Sequence, residues 1–127
     1  MSKTVVHTES APAPVGGAPY SQAIAANGLV FASGQVPLDP AGNLAAGITA
    51  QTNQVFDNIE AILAAAGSSL DRVVKTTVFL TDLGAFGEMN AAYAARMPEP
   101  FPARSTIEVS KLPADASVEI EVVALAG

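Results

Sequence analysis

Apolar residues recur along this chain in two rhythms. From Ser117 to Leu125 they alternate, with Val118, Ile120, Val122 and Ala124 on one side and Glu119 and Glu121 on the other. A period of two marks a strand with one buried face. Residues 102–109 alternate in the same way, Ala103, Ser105, Ile107 and Val109 against Arg104, Thr106 and Glu108. Arg72 to Thr81 carries Val73, Val74, Val78, Phe79 and Leu80, which put β-formers on both faces and predict a central, covered strand. Between 49 and 67 the rhythm turns helical: Val55, Ile59, Ile62, Leu63 and Ala66 form a stripe, and Asn53, Asp57 and Glu60 fall mostly opposite. Thr49 is the expected N-cap, and Gly67 the left-handed residue beyond the C-terminus. A second helix is expected from an Asp82 cap to the neighbourhood of Met97, with Phe86, Met89, Asn90, Tyr93 and Met97 as its inward stripe. Pro98, Pro100 and Pro102 end it and stiffen the link to the next strand.

The N-terminal part is read by its turns. Lys3 to Thr8 is short and β-branched, an edge strand. Asn27-Gly28 separates the runs 20–26 and 29–33 and predicts a hairpin, because both turn residues need positive φ. The Pro/Gly-rich stretch 11–19 is expected to be an ordered loop or a cover, and 34–43 has turn chemistry throughout. The order is β-ββ-α-β-α-ββ. It predicts one α+β domain over 1–127, a mixed sheet with two helices on one face. No helix remains for the other face, which carries several apolar residues, so a second subunit is its expected cover.

Composition sharpens this. Half of the 127 residues are apolar and 14% are charged, and the mean hydropathy is +0.35. For a domain with so much surface per volume, that favours a subunit interface. No apolar run approaches the roughly 18 residues of a membrane span. The N-terminus is too polar for a signal-peptide core. With no cysteine, disulfides and thiolate metal sites are excluded. The cytoplasm is the expected location. Six Lys/Arg against twelve Asp/Glu give a net charge of −6, the wrong sign for neutralising phosphates. Neither a nucleic acid nor a membrane is expected as a partner.

Chemistry has few candidates. His7 is the only histidine and falls on the edge strand, so no metal site is expected. No Gly-rich loop has the strand–helix context and lysine of a phosphate cradle. Arg104, one of three arginines, stands where a strand begins after a Pro-rich turn. A guanidinium there can grip a carboxylate through two parallel hydrogen bonds. With it come a carboxylate on the last strand, Glu119, and the hydroxyls of Tyr20, Ser33 and Thr106. Each has an ordinary reading too: solvated strand charges, a packed aromatic, a strand-end serine.

Several segments together resemble the reactive intermediate deaminase (RidA/YjgF) family. They are Ala18-Pro19-Tyr20-Ser21-Gln22-Ala23, Ser33-Gly34-Gln35 with Pro37 and Asp39, and Val74 through Asp82. Met89-Asn90 with Tyr93, Phe101-Pro102-Ala103-Arg104-Ser105, and Leu112-Pro113 followed by Val118-Glu119-Ile120-Glu121 complete the set. They occur in family order over nearly the whole chain. The resemblance implies a chorismate-mutase-like fold and a homotrimer whose sheets form a central barrel, with ligand clefts between subunits. It further implies cofactor-free, metal-independent hydrolysis of enamine/imine intermediates such as 2-aminoacrylate to a 2-oxo acid and ammonia. By position, Arg104 is then the carboxylate clamp and Glu119 the holder of the attacking water. Tyr20, Ser33, Gly34, Asn90 and Thr106 become pocket residues. Three departures are visible. Thr106 stands where many members have Cys, the approach to Tyr20 is longer, and the link from Tyr93 to Phe101 is shorter.

That chemistry needs little machinery. An imine carbon is electrophilic, Arg104 would fix the carboxylate, and Glu119 would orient a water and take its proton. Nearness to Arg104 is expected to keep Glu119 ionised. A sensor that binds small carboxylates without turnover, or a chaperone-like role through apolar surface, uses the same features. A ribonuclease fits the acidic composition least.

Overall fold

A computed structural model of the chain describes residues 2–127. Its strands are β1 (Thr4–Val6), β2 (Ala23–Ala26), β3 (Leu29–Gln35), β4 (Val73–Leu80), β5 (Ala103–Glu108) and β6 (Val118–Leu125). Its helices are α1 (Ile48–Ala65) and α2 (Phe86–Arg96). The strands form one sheet in the order β1-β2-β3-β6-β4-β5. All neighbours are antiparallel except β4 and β5, which α2 links as a parallel pair. The expected α+β sheet is therefore present, with the last strand at its centre and the Arg104 strand at its edge.

One face of the sheet is the core. Val30, Val78, Leu80, Val118, Ile120 and Ala124 meet the stripe Val55, Phe56, Ile59, Ile62 and Leu63 of α1, and all of these are fully buried. Each such side chain contributes about 1.5–3 kcal/mol by leaving water. Three polar side chains inside this core, Asn58, Thr76 and Tyr93, are paired, whereas the buried Thr52 hydroxyl has no partner among the described residues. The Asn58 amide donates to the carbonyls of Val36 (3.2 Å) and Leu38 (2.9 Å). The Thr76 and Tyr93 hydroxyls bond to each other at 2.8 Å. The second face has no helix. On it Val5, Ile24, Phe31 and Val123 form an in-register row across four strands. Val5 is 62% and Phe31 43% exposed, and Ile107 and Leu125 stand out similarly.

Strand β4 corrects one expectation. Its Val73, Thr76, Val78 and Leu80 are buried, but Val74 is 42% exposed. A register shift between Val73 and Lys75 turns Val74 out, and only one face is covered within the chain. The hairpin at Asn27-Gly28 is as expected, with φ of 53° and 80°. So is Gly67, at φ 75°. The start of α1 is not. Thr49 lies inside the helix, its hydroxyl donating to Glu88 at 3.1 Å. The N-cap is Gly47, at φ 87° and ψ 156°, a region essentially reserved for glycine, and its carbonyl accepts from Gln51 N–H. The backbone makes this cap, so no side-chain signal marks it. Asp82 does cap, accepting from Gly84 N–H at 2.8 Å, but it caps the short 3-10 turn Leu83–Ala85 that precedes α2. Strand β1 is also shorter than 3–8, and β3 runs past Ser33 to Gln35.

The caps give opposite predictions. Gly47→Ala should cost about 1–3 kcal/mol of unfolding free energy through backbone strain. Thr49→Ala should stay within about 0.5 kcal/mol, as an exposed surface change does. Denaturation midpoints at one protein concentration would measure both. An equal loss from the two would return the cap to Thr49.

Candidate active site

Sheet parity sorts the candidate residues. In a pleated sheet, residues opposite one another share a face. Arg104 pairs with Thr76, and Thr76 with Val122, so Arg104 points to the helix face. Thr106, opposite Val78, follows it. Glu119 pairs with Phe79, and Phe79 with Ile107, so Glu119 points to the open face. The expected closeness of Arg104 to Glu119 is thus not found within one chain.

Two cavities reflect this division. One, of about 360 Å³, has Tyr20, Ser33, Gly34 and Glu119 in its wall, with Val15, Val36 and Pro113 as its apolar side. The other, of about 290 Å³, is lined by Arg104, Asn90, Tyr93 and Phe101 among others. Six of the seven candidates therefore fall into two groups, one per cavity. Thr106 lies in neither wall. Its hydroxyl oxygen is buried without a protein partner, as is Oδ1 of Asn90.

The first group is built by a defect in β3. The register against β6 shifts between Ala32 and Gln35, and Ser33 and Gly34 fill the irregular step. Glu119 lies over that step. A Cβ on Gly34 would overlap the Glu119 carboxylate, so only glycine admits it there. The loop before β2 closes this cavity from another side, as the cover reading expected. Gln22 ties it down: its side chain accepts from Thr8 N–H (2.8 Å) and donates to the carbonyls of Thr8 and Pro12 (3.0 Å each). Within the loop, Val15 N–H donates to the Tyr20 hydroxyl oxygen at 2.8 Å, which leaves the phenolic proton free. The Ser33 hydroxyl donates to the Ser21 carbonyl at 2.6 Å, which leaves the Ser33 oxygen as an acceptor.

Burial, and then the like charge of Glu121, push the Glu119 carboxyl above its ordinary value. This reverses the expected direction, because the arginine that would lower it is on the other face. A raised value makes Glu119 a stronger base once ionised. It also means Glu119 stabilises the fold at pH below the ordinary carboxylate range. That contribution is lost as pH rises through the raised value.

In the second group, the Arg104 guanidinium carbon stands 4.8 Å from the ring centroid of Tyr93 and 5.5 Å from that of Phe86. Phe86 is 42% exposed instead of inward, because α2 turns it beside Arg104. Among the described residues Arg104 has no carboxylate partner, whereas Arg96 pairs with Asp57 at 2.8 Å. Sequence reasoning gave Val15, Val36 and Pro113 no place in the site: Val15 lay in the Pro/Gly-rich connector 11–19, Val36 in the turn-rich stretch 34–43, and Pro113 in a family segment without an assigned role. It also read Phe86 and Tyr93 as core alone. Among the described residues, no cluster of three or more His, Cys, Asp or Glu is arranged to hold a metal. No helix among them is long and apolar enough to cross a membrane.

The fold is a two-helix α+β sheet with two cavities, one holding an arginine that has no carboxylate partner among the described residues, the other a half-buried carboxylate with two hydroxyls. Its relatives give the family. The model of the family described as Endoribonuclease L-PSP matches residues 8–126. A RutC family protein of Pyrococcus horikoshii is 51% identical over 124 residues, covering 96% of this chain and 97% of its own. The 2-iminobutanoate/2-iminopropanoate deaminase of Salmonella typhimurium is 46% identical over 129 aligned positions, covering 98% of both chains. The crystal structure of RidA from the Antarctic bacterium Psychrobacter sp. PAMC 21119 superposes with a TM-score of 0.92 at 45% identity. It covers 96% of this chain and 98% of that one. The chain belongs to the RidA/YjgF family.

Gly34 offers a direct probe of the first group. Its backbone needs no positive φ, so Gly34→Ala should fold, with stability unchanged or raised by about 0.4–1 kcal/mol. The new methyl should still displace the Glu119 carboxylate toward water. A carbon-13 NMR titration should then show Glu119 falling back toward its ordinary value. An unmoved midpoint would mean that the carboxylate does not rest on Gly34.

Proposed function

We propose that this protein is a cytoplasmic imine deaminase, hydrolysing 2-imino acids and their 2-aminoacrylate-type enamines to 2-oxo acids and ammonia. The observation that carries the reading is the pair of complementary half-sites. One presents a guanidinium with no carboxylate partner among the described residues, the other a half-buried carboxylate seated over the Gly34 step. The relatives named as 2-iminobutanoate/2-iminopropanoate deaminases support the substrate class.

On this reading the complete site needs two chains. The apolar open face supports association, and we take the assembly to be a homotrimer in which one protomer's Arg104 faces its partner's Glu119 cavity. The Arg104 fork binds the substrate carboxylate and holds the imine carbon in place. Asn90 and Thr106 complete its surroundings. Glu119 takes a proton from water as the oxygen attacks the imine carbon, and the nitrogen gains a proton. The carbinolamine so formed collapses to the C=O bond with loss of ammonia. The free phenolic proton of Tyr20 and the Ser33 oxygen, both beside Glu119, supply a donor and an acceptor for these transfers. No step requires a metal or cofactor.

Complementation tests the shared site. Arg104→Ala and Glu119→Gln should each abolish turnover of an oxidase-generated imine, followed by competition with semicarbazide. General-base loss alone is worth about 10²–10⁴-fold. Unfolded together and refolded, the two variants should recover about a quarter of wild-type activity by random assortment in a cyclic oligomer. No recovery in properly assembled trimers would place the whole site in one chain or remove one residue from it. A carboxylate-binding sensor would show no turnover in the wild type.

The pH profile tests Glu119 separately. Activity needs its ionised form, so kcat/KM should fall as pH drops through the Glu119 midpoint. Burial is the first cause of its raised value and Glu121 the second. Glu121→Gln should therefore move the acid limb to lower pH while leaving the plateau. A limb that stayed in place would assign it to another group.

A further inference from the structure

An arginine that must receive a carboxylate needs to be rigid without being neutralised. A protein carboxylate would hold it but would occupy the donors meant for the ligand. Arg104 avoids this. The nearest acid on its own strand face, Glu108, is engaged elsewhere and accepts from Leu83 N–H at 2.9 Å. Asp82 accepts from Gly84 N–H. Asn90 shares its cavity without a hydrogen bond to it, and the contacts on the guanidinium are aromatic: the Tyr93 ring at 4.8 Å and the Phe86 ring at 5.5 Å.

Tyr93 is itself fixed. It is 5% exposed, its hydroxyl bonds to that of Thr76 at 2.8 Å, and its ring meets Phe56 edge-on at 5.5 Å between centroids. Thr76 is the β4 residue opposite Arg104. One strand position thus sets the arginine backbone on one side and the ring beneath its guanidinium on the other. Phe86, two helical turns earlier on α2, adds a second ring. Ring faces attract a guanidinium without accepting a conventional N–H bond, so the donor edge stays open. Arg96 shows the contrast. It also has a ring near it, Phe56 at 5.7 Å, but its donors are taken by Asp57 and by Asn53.

We propose that Phe86 and Tyr93 are positioning residues that hold the Arg104 guanidinium by its faces and leave its N–H donors for the substrate carboxylate. This rests on the clamp role given to Arg104 above, and it assigns a role to two residues outside the catalytic chemistry.

The test separates cradle from clamp. In nitrogen-15 NMR of the trimer, the Arg104 Nε–Hε signal should be shifted upfield by ring currents and as ordered as the backbone. Phe86→Leu should move it downfield and loosen it, and Phe86→Tyr should preserve it. Phe86 is partly exposed, so neither change hollows the core. With 2-oxobutanoate as probe, Phe86→Leu should weaken binding about two- to fivefold, the range for an exposed cation–π contact. Phe86→Tyr should rescue it. In an Arg104→Ala background, Phe86→Leu should cost nothing further. An Arg104 signal unmoved by Phe86→Leu, or an equal loss of binding without Arg104, would overturn the proposal. Wild-type binding by Arg104→Ala would instead remove the clamp, and the NMR signal would still decide on the cradle.

Discussion

Strand parity governs this molecule. Side chains alternate across a sheet with a period of two residues, and a residue's face is fixed once its register is fixed. The core-facing set on β6, Val118, Ile120, Val122 and Ala124, leaves Glu119 no choice but the open side. The same rule sends Arg104 and Thr106 to the helix side through their pairing with Thr76 and Val78. A slip of β6 by one residue would turn Glu119 to the face of Arg104 but would put Val118, Ile120 and Val122 in water. Burial of several large side chains, each worth about 1.5–3 kcal/mol, outweighs any single surface ion pair at about 0–1 kcal/mol. The separation of the charges is thus a consequence of the core, and a site that uses both must be shared between copies.

The three arginines make the same point in energetic terms. Arg96 lies against α1, donates to Asn53 and Asp57, and holds the two helices together. Arg72 donates to the Ala126 carbonyl at 2.9 Å and ties the end of the chain. Arg104 alone is held without conventional acceptors among the described residues. In a chain with twice as many acids as bases, that is hard to arrange by chance. It requires that nearby carboxylates be given other work, as Glu108 and Asp82 are at the start of the α2 segment.

Much of this was legible in the sequence. The two rhythms give the last three strands and both helices, because burial of one face is what creates them; the first three strands were read from their turns. Asn27-Gly28 and Gly67 were readable because their positive φ leaves a residue signature. The resemblance to the family named seven candidate residues, and six of them stand in the walls of two cavities. What stayed hidden depends on register. Alternation shows that Arg104 and Thr106 share a face and that Glu119 opposes Ile120. It does not show which face of one strand matches which face of another. The step at Ser33-Gly34 was equally hidden, since a bulge changes pairing and not composition. The direction of the Glu119 shift within one chain was misread for the same reason, since the same chain's Arg104 lies on the other face. Gly47 escaped because a backbone cap has no side chain to read.

The hydrogen-bond inventory carries the functional reading one step further. A hydroxyl whose proton is committed acts as an acceptor, and one whose oxygen is already engaged by a donor acts as a donor. Ser33 is the first kind, through Ser21, and Tyr20 the second, through Val15. Both commitments are made by backbone in the loop that Gln22 pins, so the fold sets the polarity of the cavity before any ligand arrives. Around Glu119 this gives one donor and one acceptor at fixed positions, with an apolar wall of Val15, Val36 and Pro113 facing them. A phosphodiester would bring charge into a wall that offers it no cation, and the chain around it is acidic. A water molecule and a neutral or protonated imine fit both the polarity and the charge. On the proposed reading, the one cation in the site comes from the neighbouring chain, so only a ligand with a carboxylate reaches both halves at once. Selection for imino acids over simple imines then follows from the assembly as much as from any one pocket.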